Sequence, residues 1–171
     1  MTLKGTVGNP LGDDLKTVQI PELYVETSVV NGVFSRDKRI ATVSLIFFEK
    51  IQTKQIKGHI SSYVLAEIYE TTSIDKRNKL LSLASLCLND APSGPNIEET
   101  GKEYVRRGMI PAKYILDAHH IASASHGKFE ALVTWNYEHI LRDKTEKLLR
   151  TINKELRLYT PQLKSPEIYI W

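Results

Sequence analysis

Residues 23–28 read Leu-Tyr-Val-Glu-Thr-Ser, a short run of β-forming residues followed by an acid and two hydroxyl side chains. Thr27 and Ser28 are residue types that commonly begin helices, so the segment predicts a strand that passes directly into a helix. Glu26 then lies at the carboxyl end of that strand. Ligands bind at this end of the strands in open α/β sheets, which makes Glu26 the first candidate site residue.

Two other acids follow apolar runs in the same way. Glu67 ends the run Ser-Ser-Tyr-Val-Leu-Ala-Glu at residues 61–67, and Asp117 ends Tyr-Ile-Leu-Asp at residues 114–117. Taken singly, each acid is more often a capping or salt-bridging residue than a ligand. Three of them beside hydrophobic core, from distant parts of one chain, suggest convergence on a hard cation instead.

Carboxylates gathered at one point need a compensating charge. Two of them about 4 Å apart repel by roughly 4 kcal/mol at an effective dielectric of about 20, which protonation or a cation must offset. A set of carboxylates without supporting cysteine thiolates favours Mg²⁺ or Mn²⁺ over zinc. Such ions polarise a phosphate and activate water for in-line attack, so the pattern favours a nuclease.

Strands and helices alternate along the chain. Runs typical of strands occur at residues 23–25, 58–61 and 131–134, with a weaker one at 156–159. Capping residues and apolar spacing predict helices from Asp37 through Ile51, after Ser61 or Ser62, at 76–88, from Asn96, and from Pro111 to Gly127. This alternation predicts a parallel sheet covered by helices.

The composition, with 171 residues of which 42% are hydrophobic and 25% charged, is typical of one globular domain. Residues 1–20 contain glycines and a proline with little periodicity, so we expect a flexible N-terminal arm there and a single domain over residues 21–171. The single cysteine, Cys87, lies in an apolar run and is expected in the core.

Charge and hydropathy limit the partners and the location. No apolar run reaches the roughly 18 residues of a membrane span and no secretory signal opens the chain, so we expect a cytoplasmic protein without a membrane partner. The 23 basic residues barely exceed the 20 acidic ones. That balance allows a polyanionic substrate and equally fits an ordinary solvated surface.

Four segments, in order, resemble the successive motifs of PIN-domain proteins, particularly those of the VapC-like toxin branch. They are Tyr-Val-Glu-Thr-Ser-Val-Val at residues 24–30, Ser-Tyr-Val-Leu-Ala-Glu at 62–67, Asp-Ala-His-His-Ile-Ala at 117–122, and Leu-Val-Thr-Trp-Asn-Tyr-Glu-His-Ile at 132–140. The resemblance extends over about residues 21–162. It implies a PIN-like three-layer α/β/α sandwich, with a central, mainly parallel sheet of about four to five strands, and single-stranded RNA as the substrate.

The resemblance also implies roles for individual residues. Glu26, Glu67 and Asp117 match the three acidic positions that hold one or two Mg²⁺ or Mn²⁺ ions, and Asn136 takes the place of a fourth acid. Thr27 or Ser28, and Thr134, are expected to orient ligands or water through their hydroxyls.

Two of these positions depart from the usual pattern. Glu26 is one methylene longer than the aspartate common in the family, and Asn136 lacks the charge of an acid, so both lower the expected strength of the site. Glu138 could restore the missing charge, although a solvent-facing start of a helix is the alternative.

His120 lies three residues after Asp117, so the two side chains should share a helix face. It is expected either to contact the scissile phosphate or donate a proton to the leaving oxygen, or else to be a hydrogen-bonded core residue. The second role is the commoner one for histidines in such runs, and the same holds for His139. Trp135 is expected to be buried beside the strand end rather than stacked on a base.

The leading hypothesis is a metal-dependent endoribonuclease, the toxin component of a type II toxin–antitoxin system. The resemblance implies a cognate antitoxin and a homodimer as partners. The alternative is a catalytically weakened PIN-like module that binds RNA or protein. A phosphatase or nucleotide-binding enzyme ranks below both, because the chain lacks the G-x-x-x-x-G-K-[ST] and G-x-G-x-x-G motifs.

Overall fold

A computed structural model describes residues 19–171. The arm expected over residues 1–20 therefore lies, except for Gln19 and Ile20, outside the described residues. Within them, no helix combines the length and the apolar character that crossing a membrane requires.

The sheet has five parallel strands in the order β3-β2-β1-β4-β5. They are β1 (Glu22–Val25), β2 (Lys57–Ile60), β3 (Leu88–Asn89), β4 (Ala131–Val133) and β5 (Gln162–Lys164). Leu23, Tyr24 and Val25 in the central strand are fully buried, as expected for a parallel strand that is covered on both faces.

Seven helices lie among the described residues. They are α1 (Thr27–Gly32), α2 (Lys38–Gln52), α3 (Ser62–Tyr69), α4 (Ile74–Ala84), α5 (Pro95–Arg106), α6 (Ile115–Gly127) and α7 (Asp143–Leu156). The Asp37 carboxylate caps α2 by accepting hydrogen bonds from the backbone N–H groups of Arg39 and Ile40, which confirms the start predicted for that helix.

The helices divide between the two faces of the sheet, because crossovers between parallel strands are almost always right-handed. The chain moves outward from β1 through β2 to β3, which places α1 to α4 on one face, and then returns to β4 and β5, which places α5 to α7 on the other. On the second face, the Tyr104 hydroxyl donates to Asn153 (2.6 Å) and the Asn153 amide donates to Ser125 (3.0 Å), linking all three helices. The predicted three-layer α/β/α sandwich is confirmed.

Two predicted elements were wrong in detail. Residues 156–159 do not form a strand: Leu156 ends α7, Arg157 turns the chain with a left-handed φ of 56°, and the fifth strand comes later, as β5. The helix predicted over 76–88 ends at Ala84, because Leu88 and Asn89 leave it to pair with His59 and Ile60 as the edge strand β3.

Two smaller features bear on the sequence predictions. Pro111 precedes a 3-10 turn at Ala112–Tyr114, so α6 begins only at Ile115, close to Asp117. Cys87 is buried, as predicted, and burial raises the pKa of its thiol to about 12, which leaves it unreactive.

Candidate active site

Glu26 is the first residue after β1 and the N-cap of α1. Its Oε1 accepts a hydrogen bond from the backbone N–H of Ser28 (3.1 Å), and its Oε2 accepts from the hydroxyls of Ser28 (2.5 Å) and Thr134 (2.7 Å). These two hydroxyls in turn accept from the backbone N–H groups of Trp135 and Asn136. The loop after β4 therefore orients both hydroxyl protons toward Glu26, which is 5% exposed.

Glu67 approaches from α3. Its Oε2 accepts a hydrogen bond from the Thr27 hydroxyl and lies 2.7 Å from Nε2 of His120. Burial opposes ionisation of this carboxyl, but the contact with His120 outweighs burial and the pKa of Glu67 is lowered. Glu67 is therefore an ionised acid that is held at one oxygen.

His120 is fully buried on α6 and has a partner at each ring nitrogen. Nε2 meets Glu67, and Nδ1 lies 2.6 Å from the Tyr24 hydroxyl. Burial alone would lower the pKa of His120, but the bond to Glu67 and the charges of Glu26, Glu67 and Asp117 raise it overall. The ring is thus a hydrogen-bonded core residue that also contacts the site.

The ligand-type atoms of Glu26, Glu67 and His120 all lie within 4.8 Å of one another. A cleft of about 420 Å³ opens over the two acids and is also lined by Thr27, Ser28, Asn31 and Glu70. A second cavity of about 700 Å³ lies at the opposite, amino edge of the sheet, where apolar side chains such as Ile20, Ile51 and Leu88 line it. The predicted site residues Glu26 and Glu67 thus lie at the smaller of the two cavities.

Asp117 lies beside this group, in the first turn of α6. Its Oδ2 accepts a hydrogen bond from the Asn136 amide (3.1 Å) and lies 3.0 Å from Nδ1 of His139. Burial and then the charge of Glu26 raise the pKa of Asp117, so Glu26 is close enough to oppose the ionisation of Asp117. Three predicted acids thus come together, with Asp117 outside the tightest cluster.

Asn136 contacts Asp117 through a group that an aspartate would lack. Its amide N–H donates to Asp117, and its side-chain oxygen accepts from the backbone N–H of His139 (2.9 Å). A carboxylate at this position could not donate this hydrogen bond. Asn136 therefore lacks the charge of a fourth acid but holds Asp117 by a bond that an acid could not make. Glu138 has its side chain 81% exposed and meets His139 Nε2 at 3.5 Å, so it lies on the solvent side of this group.

Some contacts at the site were not expected from the sequence. Tyr24 bonds His120 from the centre of β1, His139 supports Asp117, and the Tyr114 ring stacks on His139 with centroids 3.7 Å apart. The sequence did place Tyr24 in a strand that is buried on both faces. Because a buried tyrosine hydroxyl needs a hydrogen-bond partner, this position could have predicted a polar contact there. Trp135 donates its indole N–H to Ser44 (2.9 Å), which agrees with a structural role beside the strand end.

No protein-family model and no curated protein matches the chain. Among solved structures, the crystal structure of FitAcB from Neisseria gonorrhoeae matches with a TM-score of 0.52 and 11% sequence identity, over 84% of this chain and 97% of that one. The crystal structure of VapBC2 from Rickettsia felis, bound to a DNA fragment from their promoter, matches with a TM-score of 0.50 and 16% identity, over 84% and 98%. At these identities the likeness shows the fold alone, which is the PIN-like three-layer sandwich that the sequence motifs predict.

Proposed function

We propose that this protein is a divalent-metal-dependent endoribonuclease that cleaves single-stranded RNA, and the toxin component of a type II toxin–antitoxin system. The observation that carries the proposal is the meeting of Glu26 and Glu67 in one cleft at the carboxyl edge of the sheet, with Asp117 held beside them. The fold shared with FitAcB and VapBC2 supports it at the level of architecture.

The donor set fits a hard cation. Glu26, Glu67 and Asp117 supply carboxylate oxygens, which Mg²⁺ and Mn²⁺ prefer, and no thiolate lies in the described cleft. The raised pKa of Asp117 beside Glu26 marks a like-charge opposition that a divalent ion would relieve. When bound, such an ion supplies phosphate polarisation and water of lowered pKa.

His120 is better suited to hold Glu67 than to bind the ion itself. An imidazole binds a metal through a bare nitrogen, whereas Nε2 faces a carboxylate oxygen of Glu67 at 2.7 Å and must carry a proton to bond it. We therefore assign the ion to the three acids. Asn136 contributes mainly by holding Asp117, and Thr27, Ser28 and Thr134 fix Glu67 and Glu26 through their hydroxyls.

The protein's own residues then act by position and charge. The three carboxyl groups keep a fixed geometry because each accepts a hydrogen bond from a residue distant in the chain, which reduces reorganisation during the reaction. By resemblance to the family, the products carry 5′-phosphate and 3′-hydroxyl ends.

The first prediction is that Asp117→Asn abolishes RNA cleavage and leaves the fold intact. The purified protein is incubated with a panel of structured and single-stranded RNAs in Mg²⁺, in Mn²⁺ or in chelator, and the products are resolved on gels. We expect cleavage only with metal, and a loss of at least about 100-fold in the variant.

The matched control is Asp75→Asn, which makes the same change on the exposed surface of α4, where Asp75 pairs with Lys79. It should cleave like the wild type. Full activity of Asp117→Asn, or cleavage that persists in chelator, would contradict the metal mechanism.

A second candidate is a catalytically weakened PIN-like module that binds RNA or protein. It is favoured by the neutral Asn136 and by Glu26, whose three hydrogen bonds occupy much of its capacity as a ligand. Calorimetric titration with Mn²⁺ separates the two functions, because a module without a metal site gives no saturable heat.

The proposed partners follow from the proposed class. A cognate antitoxin, a homodimeric state and a cytoplasmic location belong to the same proposal, and the shared fold with VapBC2 over most of the chain supports the antitoxin. Co-expression with the product of a neighbouring small gene, followed by size-exclusion chromatography with light scattering, measures both the complex and the oligomeric state.

A further inference from the structure

A chain of buried hydrogen bonds runs from the acidic cleft through the central strand to the start of α3. Glu67 Oε2 meets Nε2 of His120 at 2.7 Å, Nδ1 of His120 meets the Tyr24 hydroxyl at 2.6 Å, and that hydroxyl meets Ser61 Oγ at 2.7 Å. Tyr24, His120 and Ser61 are each 0% exposed. Only the Glu67 end of this chain reaches solvent.

Ser61 behaves unusually for its position. It is the N-cap residue of α3, where a serine hydroxyl ordinarily accepts a hydrogen bond from the first turn, yet its side chain makes no capping bond. The hydroxyl instead contacts Tyr24. The start of α3 therefore lacks the usual capping bond, and the Ser61 hydroxyl instead serves as the partner of the buried Tyr24.

For the neutral form of His120, counting donors and acceptors selects one arrangement of protons. If Ser61 donates to Tyr24, Tyr24 donates to Nδ1 of His120 and Nε2–H donates to Glu67, every proton in the chain has an acceptor. The opposite direction leaves the Ser61 proton without an acceptor among the described contacts and sets a bare Nε2 against the Glu67 carboxylate. Burial makes such unpaired groups costly, so the first arrangement holds.

We infer that Tyr24 is a positioning residue for the acidic site: braced by Ser61, its hydroxyl bonds Nδ1 of His120 and fixes the orientation of the ring, which in turn holds Glu67 in place. The inference rests on the proposed function for its catalytic meaning. Tyr24 is fully buried and does not line the cleft, so it acts on the site only through His120.

Tyr24→Phe removes the hydroxyl and keeps the ring. The full chain is used for three measurements: the imidazole ¹⁵N chemical shifts of His120 at a pH where the ring is neutral, the Mn²⁺ affinity by calorimetry, and the kcat and KM for RNA cleavage. We expect the Nδ1 shift of His120 to change, because Nδ1 loses its hydrogen-bond donor, and the Mn²⁺ affinity and kcat each to fall about 10–100-fold. KM for RNA should stay unchanged, because Tyr24 has no exposed surface.

Tyr104→Phe is the matched control. Tyr104 is equally buried and its hydroxyl is equally bonded, to Asn153 at 2.6 Å, but these residues link α5 and α7 away from the cleft. This variant should lose a similar amount of thermal stability and keep the wild-type Mn²⁺ affinity, kcat and His120 shifts. Equal losses of Mn²⁺ affinity in both variants would show that Tyr24 is a core residue without a positioning role and would overturn the inference.

Ser61→Ala tests the same inference if Tyr24→Phe does not fold. It removes the brace and costs α3 no capping bond, so we expect a smaller fall in Mn²⁺ affinity, of about 3–10-fold, with altered His120 shifts. Wild-type shifts and affinity in this variant would also overturn the inference. Failure of the proposed function gives a different result, because the wild type itself would then bind no Mn²⁺ and cut no RNA. The ¹⁵N shifts would still report whether Tyr24 bonds Nδ1 of His120.

Discussion

At the scale of single residues, Asp117 combines a proposed role in metal binding with a cost to the fold. Burial and the charge of Glu26 raise its pKa, so ionising Asp117 is harder in the folded chain than in the unfolded one. For an acid with a raised pKa, the folded protein loses stability as the pH rises past the ordinary value of 3.8. The metal-free protein at neutral pH therefore carries this penalty.

This cost predicts that Asp117→Asn stabilises the metal-free protein at pH 7. Asparagine keeps an oxygen for the hydrogen bonds from Asn136 and His139 and removes the charge. The free energy of unfolding in chelator, measured by urea titration, should rise by on the order of 1 kcal/mol.

The pH dependence provides the check on that gain. The gain in the free energy of unfolding of Asp117→Asn should shrink as the pH falls to 3.8 and below, because Asp117 then becomes neutral in both the folded and the unfolded chain. A gain that does not change between pH 7 and pH 4 would show that charge is not its cause.

At the scale of elements, the sequence predicted the helices and strands that have a long apolar pattern or a capping residue. The Asp37 cap and the apolar spacing identified α2, and the buried run at residues 23–25 identified β1. Strand β3 has two residues, both exposed, and β5 has three with only Leu163 buried, so neither carries an alternating pattern. These strands form because β2 and β4 offer unpaired edges, which is information that the local sequence lacks.

The junction between α7 and β5 gives a testable consequence. Leu149, Ile152 and Leu156 continue one helical stripe, so the helix extends to the first residue of the predicted strand and ends where Arg157 takes the left-handed conformation, with φ 56°. That conformation costs an L-residue about 1–2 kcal/mol, and glycine avoids the cost.

Arg157→Gly should therefore raise the free energy of unfolding by about 0.5–1 kcal/mol, measured by urea titration, after allowing for the greater freedom of glycine in the unfolded chain. Arg157 is exposed, so little side-chain packing is lost. Arg157→Ala is the control, because alanine is strained in the same conformation and should give no gain. Equal effects of glycine and alanine would exclude the backbone explanation.

At the scale of the whole molecule, the strand order explains why the three acids meet. The chain moves from β1 in one direction to β2 and β3, and in the other to β4 and β5, so β1 lies at the switch point where ligand clefts open at the carboxyl edge. This much of the site follows from the sequence, since Glu26, Glu67 and Asp117 each follow an apolar run. The bond from Tyr24 to His120 spans 96 positions and depends on packing between elements, which spacing along the chain does not encode.

Because the acids come from separate elements, a bound ion should stabilise the whole fold. An ion that binds only the folded chain adds about 2.7 kcal/mol at a concentration of 100 Kd, which corresponds to a rise in Tm of about 5–10 °C for a domain of this size. We predict such a rise for the wild type with Mn²⁺ in a thermal melt, reversed by chelator, and a much smaller one for Asp117→Asn. Asp75→Asn, on the exposed side of α4, should shift like the wild type. An equal shift in Asp117→Asn would mean that Mn²⁺ binds elsewhere, and the convergence of the three acids would then be a feature of the fold without a metal role.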